Sequence, residues 1–412
     1  MDPLSTAGPM SVTMARGRPL AHLVLELIWH RRRISRAAIA ETLGLSRSTV
    51  SEIVWSLLHS GLVAEGPAAS SRGGRRATLI VFQDDAHVIL GVEMGASHVS
   101  VALTDLRGRV LSWQEREHPV RDDAEGTRSL ILDLTRRALG DVRGARDRLL
   151  GIGIALPSPV DPGRADVLSQ VVMPAWRGRT GFDELARTYG VPLFLDNDAN
   201  LGAVAEQWWG GGRGLDDFAY IKLGTGVGSG HIIRGEIYRG SSGFAGEIGH
   251  FSVDPSGAPC LCGNRGCLTT VVGTPALLER ARELLAEHPE SSLAGEDVTL
   301  VALERATLSG DPVAVQVVEE AALQLGIAVA GLVNLVNPAA VILGGSITRV
   351  GERLLIPLRD AALRRTLISS MAASEIRVTS LGEQAFAVGA ATLVLSAALA
   401  DPSLFPGMKK DA

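Results

Sequence analysis

Lysine is nearly absent from this chain. Only Lys222, Lys409 and Lys410 occur in 412 residues, while the other 37 basic side chains are arginines. Together with the abundance of alanine and glycine, this reads as coding bias and says little about function. Cysteine is equally scarce, and three residues are too few for a disulfide framework. The opening stretch MDPLSTAGPMSVTMARGRPL holds no apolar core of signal-peptide length, so no signal peptide is expected. Overall charge is small too. A net −5 taken whole argues against nucleic acid as a partner, and 46% hydrophobic with 21% charged residues excludes a disordered chain. One uncharged run, Ala321–Thr348, reaches membrane length. It contains Gln324, Asn334, Asn337, Pro338 and Gly344–Gly345, which a bilayer span tolerates poorly. It reads instead as a buried helix, a turn at Asn337–Pro338 and a buried strand Ala340–Leu343. A cytoplasmic protein with no membrane partner is expected.

The length suits two to three domains, and the small net charge hides a split between them. Residues 1–82 carry ten arginines against five acidic residues, a net +5, while the remainder carries −10. A basic head on an acidic body points to a nucleic-acid-binding module fused to something else. Behind a flexible N-terminus (1–17), the head is expected over 18–83. Leu20, Leu23, Val24, Leu27 and Ile28 lie on one helical face. A second helix is predicted from Ser35, its cap, to Leu43 before Gly44. A third is predicted from Ser46, with Val50, Ile53, Val54, Leu57 and Leu58 buried and Gly61 at its end. The tight turn between them predicts a helix-turn-helix. Arg47, Ser48, Thr49 and Ser51 at the start of the third helix are the candidate base and phosphate contacts. A β-hairpin wing follows, from Leu62–Glu65 to Ala77–Phe82. Its loop places Arg72, Arg75 and Arg76 beside Gly73 and Gly74, suited to a narrow minor groove.

From His87 the pattern turns to strands: His87–Met94, His98–Asp105, Arg109–Glu115 and Leu149–Ala155, with a helix over 126–139. A helix Asp183–Tyr189 and a strand Pro192–Leu195 lead to Asp196-Asn197-Asp198-Ala199-Asn200 and a helix ending at Trp209. Then the theme repeats. Strand Phe218–Leu223, the glycine-rich turn Gly224-Thr225-Gly226-Val227-Gly228 and a returning strand Gly230–Tyr238 mirror the opening hairpin. An α/β body of two lobes is expected, 84–200 and 201–400, with 401–412 as a tail. Successive amides in such a turn can cradle a phosphate, although a plain hairpin has the same look.

All three cysteines fall in Cys260-Leu261-Cys262-Gly263-Asn264-Arg265-Gly266-Cys267. The alternatives are inert thiols, a redox pair or a thiolate metal site. We read a structural Zn2+ held by Cys260, Cys262, Cys267 and His250, a closed Cys3His set. Asp198, at a strand-to-helix junction, and Glu247, three residues before His250, are the carboxylates placed in a ligand cleft. Either one alone is as readily a capping or solvated side chain.

These stretches resemble the ROK family (repressors, open reading frames and kinases), in its regulator branch, over roughly residues 18–400. The resemblance is carried by Leu223–Gly230, by Gly246-Glu247-Ile248-Gly249-His250, by the Cys260–Cys267 knuckle and by Asp196–Asn200. It implies a winged helix-turn-helix followed by a two-lobed, actin-like (ribonuclease-H-like) fold with a sugar cleft. It implies that Asn197, Asp198, Glu247 and His250 line that cleft, with Asp198 at the position of the kinase general base. It also implies homodimers or homotetramers on a palindromic double-stranded operator, with a sugar or sugar-derived effector. The chain departs from the family pattern in three places, of which the first phosphate motif and Thr269 imply a regulator without kinase activity, and the sugar-side Pro157-Ser158-Pro159 bears on the effector. Glu93-Met94-Gly95-Ala96-Ser97 replaces Asp-x-Gly-Gly-Thr, leaving Gly224, Thr225, Gly226 and Gly228 as a phosphate-loop remnant. Thr269 replaces the glutamate after the knuckle, and Pro157-Ser158-Pro159 replaces Pro-Gly-Pro.

Overall fold

The computed structural model describes residues 20–68, 77–161, 163–164, 166–367 and 374–408. It divides into two compact units, Met1–Ala86 with Ser396–Ala412, and His87–Leu395.

The first unit contains α1 (Leu20–Arg31), β1 (Arg33–Ser35), α2 (Arg36–Leu43), α3 (Arg47–His59), β2 (Val63–Ala68) and β3 (Thr78–Phe82). Both expected N-caps form. Ser35 Oγ accepts from the Ala38 amide at 3.2 Å, and Ser46 Oγ from the Thr49 amide at 3.1 Å. Gly44 closes α2 in the left-handed region at φ +65, as a C-terminal glycine does. The strands pair in the order β1-β3-β2, all antiparallel, which is a winged helix-turn-helix. The short strand β1 is legible only as the residues flanking a cap. The wing residues Arg72, Gly73, Gly74, Arg75 and Arg76 lie outside the described residues, as does the N-terminal segment 1–17.

The face of α1 differs from expectation. Leu20 is 45% exposed, whereas His22, Leu25 and Trp29 are buried beside Val24, Leu27 and Ile28. The cause is the C-terminal segment, read from sequence as a tail. It folds with the head. His22 Nδ1 lies 2.5 Å from the Leu399 carbonyl, Phe405 is buried, and Ser56 Oγ donates to Met408 Sδ at 3.6 Å. Covered from a second direction, α1 buries more than one stripe.

In the second unit, β4 (Val88–Met94), β5 (His98–Asp105) and β6 (Val110–Glu117) form a meander, followed by α4 (Ala124–Gly140), β7 (Leu149–Leu156), α5 (Asp183–Tyr189), β8 (Leu193–Asn197) and α6 (Asp198–Trp209). The second half repeats the plan with β9 (Phe218–Leu223), β10 (Val227–Ile233) and β11 (Glu236–Tyr238). Then come α7 (Thr269–Val272), α8 (Thr274–Leu285), α9 (Leu300–Ser309), α10 (Pro312–Val336), β12 (Ala340–Gly344), α11 (Glu352–Leu363), β13 (Glu375–Val378) and α12 (Ala385–Ala400). The sheets run β6-β5-β4-β7-β8 and β11-β10-β9-β12-β13. In each, the first three strands are antiparallel and the fourth and fifth parallel to the first. This is the duplicated actin-like plan that the resemblance implied.

The returning strand expected over Gly230–Tyr238 is two strands. Arg234 (φ 54) and Gly235 (φ 77) both take positive φ, and this pair turns β10 back as β11. The uncharged run is α10, the Asn337 cap at φ 50, and β12. Pro312–Val336 is long and apolar enough to cross a membrane, yet 61% of its apolar window is buried inside the fold. The lobe boundary is less clean than a cut at residue 200. Ala387 and Ala390 of α12 lie directly on the first sheet. A Cβ on Gly91 would sit 1.8 Å from the Ala387 carbonyl oxygen, and one on Gly153 would sit 1.9 Å from that of Ala390. Only glycine at these two strand positions lets the helix backbone come so close.

Candidate functional site

Four pieces of chain meet between the two sheets: the β4–β5 turn, the start of α6, the end of β9 and the Gly246–His250 segment. Asn197 caps α6, its Oδ1 accepting from the Ala199 and Asn200 amides at 3.0 and 3.3 Å. Its Nδ2 donates to the Ser158 carbonyl at 3.2 Å. Its Oδ1 therefore serves the fold, while Nδ2 carries a second N–H beyond the one given to Ser158. The cap sets the next residue, Asp198, at the first helical position, only 4% exposed. Lys222 Nζ forms an ion pair with Asp198 Oδ2. Burial raises the Asp198 carboxyl above its ordinary range, the Lys222 charge opposes this, and the nearby Glu93 charge adds to it.

Glu93 is itself buried. Ser100 Oγ donates to its Oε2 at 3.1 Å, and His98 Nε2 lies 3.5 Å from Oε1. The hydrogen bond to Glu93 raises the His98 imidazole above its usual value, against the effect of burial. The His98 ring covers the turn, with Cε1 2.3 Å from where a Gly95 Cβ would stand. The second turn is also self-occupied in part: the Gly224 amide donates to the Gly226 carbonyl at 3.1 Å, and Gly228 pairs with Lys222 in the ladder. Thr225 and Gly226 are exposed at its tip.

Across the cleft, Gly246 at φ +97 packs against the Ser229 carbonyl, a contact any Cβ would prevent. It launches a short 3-10 turn, Ile248–His250, which puts Glu247 Oε2 3.9 Å from His250 Nε2. Burial first, and then the Asp198 charge, push the Glu247 carboxyl up to about 7. Nearby, Asp196 is 2% exposed and accepts from Arg239 Nε at 3.0 Å and Nη2 at 2.5 Å.

The metal reading holds its geometry. The ligand atoms of His250, Cys260, Cys262 and Cys267 all lie within 4.8 Å of one another. His250 Nδ1 is 3.5 Å from Cys260 Sγ, and Cys262 Sγ is 3.6 Å from Cys267 Sγ. Zinc with sulfur at about 2.3 Å and nitrogen at about 2.0–2.1 Å in a tetrahedron sets its ligand atoms about 3.5–3.8 Å apart. The residues present therefore fit such an ion. With Nδ1 toward the thiolates, Nε2 lies on the side of Glu247, 3.9 Å from its Oε2 and beyond hydrogen-bond distance.

In the head, Arg47, Ser48 and Ser51 are exposed at the start of α3, and Thr49 is half-buried. Two of the hydroxyls are shared with the cap: Ser46 Oγ lies 2.8 Å from both Ser48 Oγ and Thr49 Oγ1. Ser51 Oγ donates to the Arg47 carbonyl at 2.8 Å.

Sequence reasoning missed Lys222, Arg239 and the Glu93–His98 pair. For Lys222 a signal existed, since it is the single lysine in the body of a chain that otherwise uses arginine. Glu93 is marked as the first residue of the altered phosphate motif, although not as a partner of His98, and no local pattern marks Arg239 or His98.

A winged helix-turn-helix joined to a duplicated actin-like unit defines a regulator built on a sugar-kinase plan. Residues 89–397 match the ROK family, and the chain belongs to that family. It is 30% identical to the xylose repressor of Caldicellulosiruptor bescii, over 92% of this chain and 96% of that protein. The solved structure of a ROK family transcriptional regulator, a homologue of the E. coli MLC protein, is 27% identical. It superposes with a TM-score of 0.80, covering 94% of this chain and 98% of that one. A ROK family glucokinase from Streptomyces griseus, solved with glucose and AMPPNP, is 32% identical with a TM-score of 0.67. It covers 74% of this chain and 98% of its own.

Proposed function

We propose that this chain is a cytoplasmic DNA-binding transcriptional repressor of carbohydrate-related genes. Its head binds a double-stranded, palindromic operator as a homodimer or homotetramer. A sugar or sugar-derived effector in the cleft, against Asp198, Glu247 and His250, modulates that binding. The observation that carries this reading is coverage. The repressor aligns over 92% of this chain, whereas the glucokinase aligns over 74%. The cleft supports a regulator rather than a kinase. Asp198, at the position of the general base, is tied up by Lys222, and the His98 ring covers the first turn where a phosphate would lie. Effector control is a population shift, and it requires different ligand affinities in the two states.

We assign a structural zinc to His250 Nδ1 and the sulfurs of Cys260, Cys262 and Cys267. When bound, it supplies a closed four-ligand anchor for the knuckle rather than an open coordination site. Glu247 and His250 then share one rigid turn at the edge of the cleft.

The test is salt-dependent binding of the full chain to duplex DNA from its own promoter region, with and without xylose, glucose and N-acetylglucosamine. Binding that weakens with salt and shifts with one sugar is expected. No salt-dependent binding overturns the regulator reading. Steady ATP turnover with a hexose, lost in Asp198→Asn, makes the chain a kinase instead.

A further inference from the structure

Trp55 is the one tryptophan of six that stands in solvent. It is 62% exposed, while Trp29 and Trp176 are buried and Trp113, Trp208 and Trp209 are half-buried. A bare indole on a folded surface leaves a large apolar area in water, which makes its location informative. It lies on α3, whose opposite face is the fully buried row Val50, Val54 and Leu57. Four-residue steps on a helix rotate by about 40°, so Arg47, Ser51, Trp55 and His59 form one gently turning row. Ser48 and Glu52 lie beside that row, which puts Trp55 in the middle of the exposed surface of α3. His59 holds the indole in place. Their rings lie 3.8 Å apart, and His59 Nδ1 lies 2.8 Å from the Trp55 carbonyl oxygen. The imidazole lies tilted by 39° against one side of the indole, and the residue remains 62% exposed.

We infer that Trp55 is a base-reading residue, which packs its exposed indole against the 5-methyl group of a thymine in the major groove. This rests on the DNA-binding reading above. Charge complementarity selects DNA as the occupant of this face. The indole shares its row with Arg47, in a head carrying ten arginines and a net +5, and Arg31, Arg32 and Arg33 are exposed in the same unit. Thymine is the base that offers an apolar group in the major groove. Arg47 and Trp55 are separated by about 12 Å along the helix, the rise of three to four base pairs. The methyl is therefore sought at that distance from the base pair under Arg47.

The test uses full-length chain and duplexes selected by the wild type from a randomised pool. Each thymine of the selected duplex is replaced in turn by uracil, which deletes only the methyl. Wild type is expected to lose about fourfold in affinity at one thymine per half-site, the worth of one buried methyl. Trp55→Ala is expected to bind the thymine and uracil duplexes equally, with an unchanged salt slope, because no phosphate contact is lost. Trp55→Phe is expected to keep part of the discrimination. The residue is exposed, so equal melting temperatures verify that both variants are folded. The inference is overturned if no thymine responds to uracil replacement, or if Trp55→Ala keeps the wild-type uracil profile. A uniform loss with a lower salt slope overturns it as well. If the wild type selects no duplex at all, the DNA-binding reading falls with it.

Discussion

Lys222 on β9 neutralises Asp198 at the start of α6, both side chains being largely withdrawn from water at 17% and 6% exposed. The pair joins the second sheet to the helix that begins where the first sheet ends. Removing one partner leaves a buried charge alone, which typically costs about 3–5 kcal/mol. Lys222→Met should therefore lower stability by about 3 kcal/mol in urea titrations, toward the lower end because the lysine is not fully buried. The double variant Lys222→Met/Asp198→Asn should recover much of that loss. A single variant as stable as wild type would mean that the pair is not maintained in solution.

The knuckle makes a second prediction. Wild type should carry one zinc per chain, and Cys262→Ser should release it and lower the melting temperature. Cys262 is exposed, so loss of packing does not explain the effect, whereas Cys267 is fully buried. Full zinc retention by Cys262→Ser with unchanged melting would contradict the assignment.

The Glu93–His98 pair gives a pH signature. The folded-state imidazole is raised above 6.5, chiefly by its hydrogen bond to Glu93. A raised histidine contributes stability that is fully present below its unfolded value and is lost as pH rises through the folded value. The stability gap between wild type and His98→Gln should therefore be larger at pH 6 than at pH 8.5. Equal gaps at both pH values, measured by denaturant titration, would show that the pair is not charged.

α12 packs on the first sheet with its backbone against strand glycines. Gly153→Ala must push the Ala390 carbonyl aside, since its Cβ would stand 1.9 Å from that oxygen. Overpacking of this kind costs about 1–3 kcal/mol or more. Alanine at Gly140, which has nothing within 4 Å, is the control and should be nearly silent in thermal melts.

Arg75, in the wing loop outside the described residues, is read as a phosphate or minor-groove cation. Arg75→Ala should weaken binding to any duplex and lower the salt slope by about one. An unchanged slope would count against a wing contact.

The elements were largely legible because their signals are local. Ser35, Gly44 and Ser46 punctuate the head by hydrogen bonding within a few residues, and the cysteine knuckle folds on itself. What the sequence concealed is non-local. His22 lies off the apolar stripe of α1 yet is buried, because Leu399, 377 residues away, meets it from another side. Tyr238 belongs to a separate strand because Arg234 tolerates a positive φ that arginine rarely advertises. Asn197 has the right chemistry for a ligand, and a motif cannot reveal that its Oδ1 also caps α6 and that one of its two amide N–H groups is given to Ser158. Lys222 and Arg239 find their carboxylates only after two halves of the chain have folded toward each other.

The short turn Ile248–His250 carries one more implication. It makes Glu247, proposed to line the effector site, and His250, proposed to hold zinc, neighbours on the same few atoms of backbone, so the two proposed sites are energetically linked. Thermodynamic reciprocity then applies: if zinc at His250 improves the hold of Glu247 on an effector, that effector tightens zinc by the same factor. The knuckle is in that sense a gauge of the cleft, and the share of metal that a chelator removes at equilibrium becomes a way to detect the effector without DNA.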